Sequence, residues 1–183
     1  MITSSAFGPF DPLEPATIPG EFPENLYADP VEINAPMELV WEIMTDFDRY
    51  PEWNPLNRFF RLDSQAEPNC TVTFGPNWES YDQAEGEPLP EASFTQHETI
   101  TIWEEPCCLA YAVISPEMNA ERVQHLSPLP GGRTRYHTYE RTSGPFSVDV
   151  RRNMGDKIIA GFKANGEALK KRAEYFASND QVA

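Results

Sequence analysis

Cysteine is scarce in this chain of 183 residues. Cys70, Cys107 and Cys108 form no CxxC pair and no disulfide framework. A disulfide-stapled scaffold is excluded, and a reducing cytoplasm is the expected compartment. No apolar run approaches the ~20 residues of a membrane-spanning helix, so membrane insertion is not expected. The opening stretch, MITSSAFGPFDPLEP, has neither the basic nor the apolar region of a secretory signal. Histidine is limited to His97, His125 and His137, with no HExxH and no two-histidine-one-carboxylate spacing. No metal ligand is therefore assigned. A GxSxG nucleophile elbow, a P-loop and a dinucleotide glycine fingerprint are all missing, so no cofactor is expected. Positive charge is scarce too. Residues 1–121 hold three basic residues against 23 acidic ones, and the whole chain carries a formal charge of -15. Nucleic acid and anionic membranes are unsuitable partners for such a surface.

What is present is aromatic and patterned. Hydrophobic content of 40% over this length supports one domain with a sizeable core. Residues 1–24 carry five prolines and no period, and read as an extended arm. Asn25 to Ile33 reads as a first strand, with Pro30 marking an edge or bulge. A helix follows. Asn34 is its expected N-cap, Pro36 sits in the first turn, and Val40, Ile43, Met44 and Phe47 follow the i, i+3, i+4, i+7 rule. TDFDRYPEWNP, Thr45 to Pro55, cannot continue that helix through two prolines, and its three aromatics need something to pack on. It reads as a wedge, with Phe47, Tyr50 and Trp53 turned toward a long C-terminal helix. Period-two segments then follow: NRFFRL, CTVTF, SFTQHETITIW, CLAYAVI, ERVQHLSPL and TRYHTYERT. From Ser147 to Ala177, Val150, Met154, Ile158, Phe162, Asn165 and Leu169 share one helical stripe. Grouped strands flanked by helices imply an α+β protein with an antiparallel sheet.

INAPMELVWEIMTDFDRYPEWNPLNR resembles the opening signature of the START-like superfamily known as SRPBCC, in its polyketide cyclase/dehydrase-like branch. ITIWEEPCCLAY, LSPLPGGRTRYHTYERTSGP and FKANGEALKKRAE resemble later segments of the same pattern, in order. The resemblance covers residues 25–177, between the arm at 1–24 and a tail at 178–183. It implies a helix-grip fold: a seven-stranded curved antiparallel sheet around a long C-terminal helix, with two short helices after the first strand and an apolar cavity inside. The superfamily includes binders of lipids, hormones, quinones and polyketides as well as enzymes, so fold does not settle function. The acidic insertion FGPNWESYDQAEGEPLPEA departs from the pattern. It reads either as a solvated loop or as a lid whose apolar contacts are Trp78 and Tyr81.

Strand alternation orients the candidate site. Phe94, Gln96, Glu98, Ile100 and Ile102 share one face, and the isoleucines turn it inward. Leu109, Tyr111 and Val113 face in on the next strand, then Arg122, Gln124 and Leu126. Thr134, Tyr136, Thr138, Glu140 and Thr142 face in on the last strand. All three histidines turn outward. The expected ligand-contacting set is Trp53, Phe94, Gln96, Tyr111, Gln124, Tyr136, Met154, Ile158 and Phe162. Glu98 and Glu140 are the candidate acid–base residues, one expected to pair with Arg122 and the other to stay closer to neutral. Two functions fit. One is a carrier or sensor of a hydrophobic, aromatic or polycyclic small molecule, monomeric or homodimeric. The other is a cofactor-independent cyclase, dehydratase or lyase working on a polyketide-like or aromatic substrate by general acid–base catalysis.

Overall fold

The computed structural model describes residues 25–78, 81, 88–89 and 91–179. The expected arm over residues 1–24 lies outside them, as do residues 79–80, 82–87 and 90 of the acidic insertion. The expected first strand is broken in two: β1, Leu26–Tyr27, and β2, Val31–Ile33. Pro30, between them, has no N–H to give a ladder. Both pieces pair antiparallel with the last strand, β8, Arg133–Ser143, through Leu26↔Glu140 and Val31↔Tyr136. α1 then runs Met37–Thr45 with Pro36 at its N-cap. Asn34 does not cap it; its backbone and side-chain N–H groups donate instead to the Glu174 carboxylate at 2.8 and 2.9 Å.

The proline-rich corner is a 3-10 turn, Phe47–Arg49, followed by α2, Tyr50–Trp53. The Tyr50 hydroxyl donates to the Met44 carbonyl at 2.7 Å and closes the corner. The strands β3 (Asn57–Leu62), β4 (Thr71–Pro76), β5 (Gln96–Glu104), β6 (Cys108–Ile114) and β7 (Asn119–Leu129) precede β8. The sheet is antiparallel throughout, in the order β1-β8-β7-β6-β5-β4-β3, with β2 also on β8. Gly131 and Gly132 make the β7–β8 turn at φ of 81° and 68°, a region that glycine enters without steric cost. α3, Ser147–Asn179, has 33 residues and so is about 50 Å long. It spans the concave face of the curved sheet, the helix-grip arrangement.

That length explains a correction. Trp53 does not share a cluster with Met154, Ile158 and Phe162. It belongs to the main core with Tyr50, Phe60, Phe74, Tyr111, Trp41 and Leu169. Ile158 and Phe162 form a second cluster with Leu26, Ala28 and Leu56, flanked by Met154 and Val150. The two halves of α3 pack on different neighbours, and α2 touches only one of these sets.

A second correction comes from β5. Its register against β6 runs Ile100↔Tyr111 and then Ile102↔Ala110, so Thr101 is an extra residue, a β-bulge. Ile102 is thereby turned outward, onto Cys108 and Ala110, and Trp103 faces in, edge-on to Trp41 at 5.3 Å. Gln96 and Glu98 lie before the bulge and keep their inward phase.

On β8 the convex face carries Arg133, Arg135 and Arg141, yet it is not uniformly wet. Cys108, Ala110, Val123 and Tyr139 form a buried cluster there, and the rings of Tyr27, His137 and Tyr139 meet in a triangle, His137 stacked on Tyr27 and tilted against Tyr139. His125 and His137 do face outward yet are only 8% and 4% exposed. Burial pushes the His137 imidazole down to about 4, with help from His125 and Arg135. Glu121, wholly buried on the same face, accepts from Thr101 Oγ1 at 2.6 Å and from Arg141 Nε at 2.8 Å.

Candidate functional site

Between the sheet and the first half of α3 lies a cavity of about 210 Å³. Each wall follows from strand phase. Phase on β4, β5, β6, β7 and β8 brings in Phe74, Gln96 and Glu98, Tyr111 and Val113, Ala120 and Arg122, and Glu140. The helical stripe Val150, Met154, Ile158 and Phe162 forms the opposite wall. Leu56, Asn57, Pro76, Trp78, Phe94 and Met118 complete the lining. The surround is apolar with a few convergent polar groups, the usual make-up of a small-molecule site. Two larger depressions, about 430 and 390 Å³, open near Asp46; the first mixes apolar and charged side chains and the second is lined mainly by charged ones.

One polar group organises the inner end. Arg122, 5% exposed, donates from Nε to Thr138 Oγ1 at 3.2 Å and from Nη1 to the Tyr111 oxygen at 3.2 Å. Its Nη2 donates to Asn165 Oδ1 at 2.7 Å and to the Tyr136 oxygen at 3.4 Å. The guanidinium also lies over the Phe162 ring, 4.5 Å from its centre. The Tyr136 hydroxyl donates in turn to Gln124 Oε1 at 3.0 Å. Every one of these partners is neutral.

Glu98 and Glu140 both border the cavity. Each is enclosed by protein but half-buried, because one side opens on the cavity. Burial pushes the Glu98 carboxyl up to about 8, repulsion from Glu140 adds to this, and Gln96 and Arg122 oppose it. Burial likewise raises Glu140 to about 7 against the pull of Arg122. Glu98 accepts a hydrogen bond from Gln96 Nε2 at 3.3 Å, and Glu140 has no hydrogen-bond partner among the described residues. The expected Glu–Arg122 pair is not formed, since among the described ion pairs none involves Arg122. The guanidinium is taken up by hydroxyl and amide oxygens instead.

Of the residues expected to contact a ligand, Phe94, Gln96, Tyr111, Met154, Ile158 and Phe162 line the cavity. Tyr136 stands behind it and accepts from Arg122, and Gln124 in turn accepts from the Tyr136 hydroxyl. Trp53 is not in the lining. Trp78 and Tyr81 pack on the Ile158–Phe162 cluster. The acids Glu79, Asp82, Glu85 and Glu87 of the suggested lid lie outside the described residues.

Asn57, Leu56, Met118 and Val150 line the cavity without having been singled out as contacts. Asn57 was hidden by a register shift between it and Phe60. Asn165 was visible on the apolar helical stripe, and a buried amide in such a place signals a polar partner. Among the described residues no group of three or more His, Cys, Asp or Glu is placed to hold a metal ion.

A family model described as polyketide cyclase/dehydrase and lipid transport matches residues 27–174. Solved structures share the fold at low identity. The Zhui aromatase/cyclase from Streptomyces sp. R1128 superposes with a TM-score of 0.60 at 16% identity, over 82% of this chain and 93% of that one. A domain of the di-domain aromatase/cyclase StfQ of steffimycin biosynthesis gives 0.58 at 11% identity, over 84% of this chain and 52% of that one. A START superfamily protein from Mycobacterium smegmatis gives 0.51 at 14% identity, over 79% and 98%. No curated protein matches the chain.

Proposed function

Because the chain belongs to the polyketide cyclase/dehydrase and lipid transport family, within the START-like superfamily, we propose that it binds a small hydrophobic, aromatic molecule in the sheet–α3 cavity, as a carrier or sensor. The observation that carries this is the cavity itself, with apolar walls and about 210 Å³ of room. A cavity of about 150 Å³ lined by aliphatic and aromatic side chains takes a benzene ring. The present one therefore suits one or two fused rings. Phe74 and Phe162 offer ring faces, and Met154 supplies an adaptable contact.

A second reading is favoured by one further observation, the two carboxyls near neutrality. A group whose pKa lies close to the working pH gives and takes protons most readily. Glu98 and Glu140, at about 8 and 7, bracket that range on one cavity wall. They would serve as acid and base in a cyclisation, dehydration or lyase step on an aromatic or polyketide-like substrate.

Native mass spectrometry of the freshly purified protein, followed by identification of the bound mass, tests the first reading. An apolar ring compound is expected, and a cavity that binds no such compound from a panel of one- and two-ring ligands refutes it. Substitution separates the readings. A carrier loses affinity in Met154→Ala and has no turnover to lose. An enzyme loses rate in Glu98→Gln or Glu140→Gln while its substrate still binds.

A further inference from the structure

The hydrogen bonds at Tyr111 do not close on themselves. Its oxygen accepts from Asn57 Nδ2 at 3.2 Å and from Arg122 Nη1 at 3.2 Å. A phenol oxygen has two lone pairs and one proton. With both lone pairs taken, the proton must be donated, and no described residue accepts it. Arg122 repeats the pattern. A guanidinium has five N–H groups. Thr138, Tyr111, Tyr136 and Asn165 account for four, which leaves one Nη1 proton without an acceptor. Two spare donors therefore start from atoms 3.2 Å apart, on residues that both line the cavity.

Charge points the same way. Arg122 is a buried cation whose direct partners are all neutral, and a buried charge without a counterion is costly. The ionisable groups around it are Tyr111 on β6, Tyr136 and Glu140 on β8, Glu98 on β5, Tyr50 on α2, and Tyr81. The phenols stay neutral in the physiological range. The two glutamates are the only acids in this group, and neither reaches the guanidinium.

We propose that Arg122 Nη1 and the Tyr111 hydroxyl form a receptor for one anionic oxygen, so that the ligand is an apolar ring body bearing a carboxylate, phenolate or enolate. The proposal rests on the cavity being a ligand site and adds the chemical class. A ligand anion at this corner neutralises Arg122 and repels Glu98 and Glu140. Each glutamate that is ionised beforehand then takes a proton from solvent onto its carboxylate. Affinity is full where both glutamates are already protonated and falls as pH rises through their range, by about tenfold per pH unit for each proton taken up. The two glutamates also disfavour a neutral amide less than they disfavour a second anion, so the carboxylate preference is strongest at the acid end.

The test uses the full chain and three probes of one shape: 1-naphthoate, 1-naphthamide and 1-naphthylmethylamine, titrated calorimetrically at pH 6.5. Naphthoate is expected to bind at least about tenfold more tightly than the amide, the worth of one charge-assisted hydrogen bond. Tyr111→Phe, which removes one donor, should narrow that ratio several-fold. Arg122→Gln should abolish it, and thermal melts would show whether each variant is folded. Repeating the naphthoate titration at pH 7.5 in phosphate and in Tris should reveal net proton uptake. An amide that binds as tightly as the carboxylate, or an amine that binds most tightly, overturns the anion receptor while leaving the cavity reading intact. Failure of all three probes to bind overturns both.

Discussion

Replacing both cavity glutamates by glutamine should stabilise the protein, and by more at pH 8 than at pH 5. The sign follows from the raised carboxyl pKa values. In the unfolded chain a glutamate titrates near 4.3, whereas Glu98 and Glu140 in the fold titrate at about 8 and 7. Between those limits the folded state holds more protons than the unfolded one, so stability falls as pH rises. Below about pH 4 the two states are protonated alike and nothing is lost. Each proton difference costs about 1.4 kcal/mol per pH unit. From pH 5 to pH 8 the full sum over both groups would be about 6 kcal/mol. The open side of the cavity admits water and reduces this, so a difference of about 3 kcal/mol is the expected reading. Glutamine keeps the size and the hydrogen-bonding ability of a protonated carboxyl without the charge. Denaturant unfolding of wild type and of the Glu98→Gln/Glu140→Gln variant at pH 5, 6, 7 and 8 measures it. Taking the difference at each pH cancels the histidines and surface acids common to both. A difference that stays flat from pH 5 to pH 8 would refute the claim that these carboxyls resist ionisation.

Trp53→Ala should cost roughly 3–5 kcal/mol in denaturant melts, since an 8%-exposed indole packed on Tyr50 leaves a large hole; a loss under about 1 kcal/mol removes the wedge from the core. Glu121→Ala should cost about 3–5 kcal/mol by removing the buried carboxylate that Arg141 and Thr101 bond, and a Glu121→Leu/Arg141→Met double variant should recover most of it in the same melts. Proton NMR of His137 should give a midpoint near pH 4, whereas one above pH 6 would mean that water reaches the ring.

Legibility in the sequence tracked how local each cause was. Helix periodicity, the Gly131–Gly132 turn and the strand alternation are local, and they were sufficient for the α+β layout. The inward phase of Glu98, Arg122 and Glu140 came from alternation alone, because no irregularity separates these residues from Ile100, Leu126 and the outward-turned Arg135 and Arg141 of their strands. Thr101 and the stretch after Asn57 broke the rule, and Ile102, Trp103 and Asn57 were misplaced or missed for that reason. Nothing in a sequence marks a bulge until the partner strand is known. The partners of Arg122 were also hidden. Tyr111 and Tyr136 neighbour it across the sheet, but Asn165 is 43 residues away and meets it only once α3 has docked.

The bulge at Thr101 gives one strand two grammatical moods. Upstream of it, even-numbered positions speak to the cavity; downstream, odd-numbered Trp103 speaks to the aromatic floor beneath α1. Deleting Thr101 would leave both messages intact, because Ile100, Ile102 and Trp103 would then alternate in, out, in as an unbroken strand does. The spare residue is slack: one codon can be lost there without turning Glu98 away from the chamber. β7 and β8 pair without interruption from Asn119↔Ser143 to Leu129↔Arg133 and hold no such joint. A lost residue is therefore absorbed at one joint in β5, whereas in β7 or β8 it would turn Arg122 or Glu140 to the opposite face.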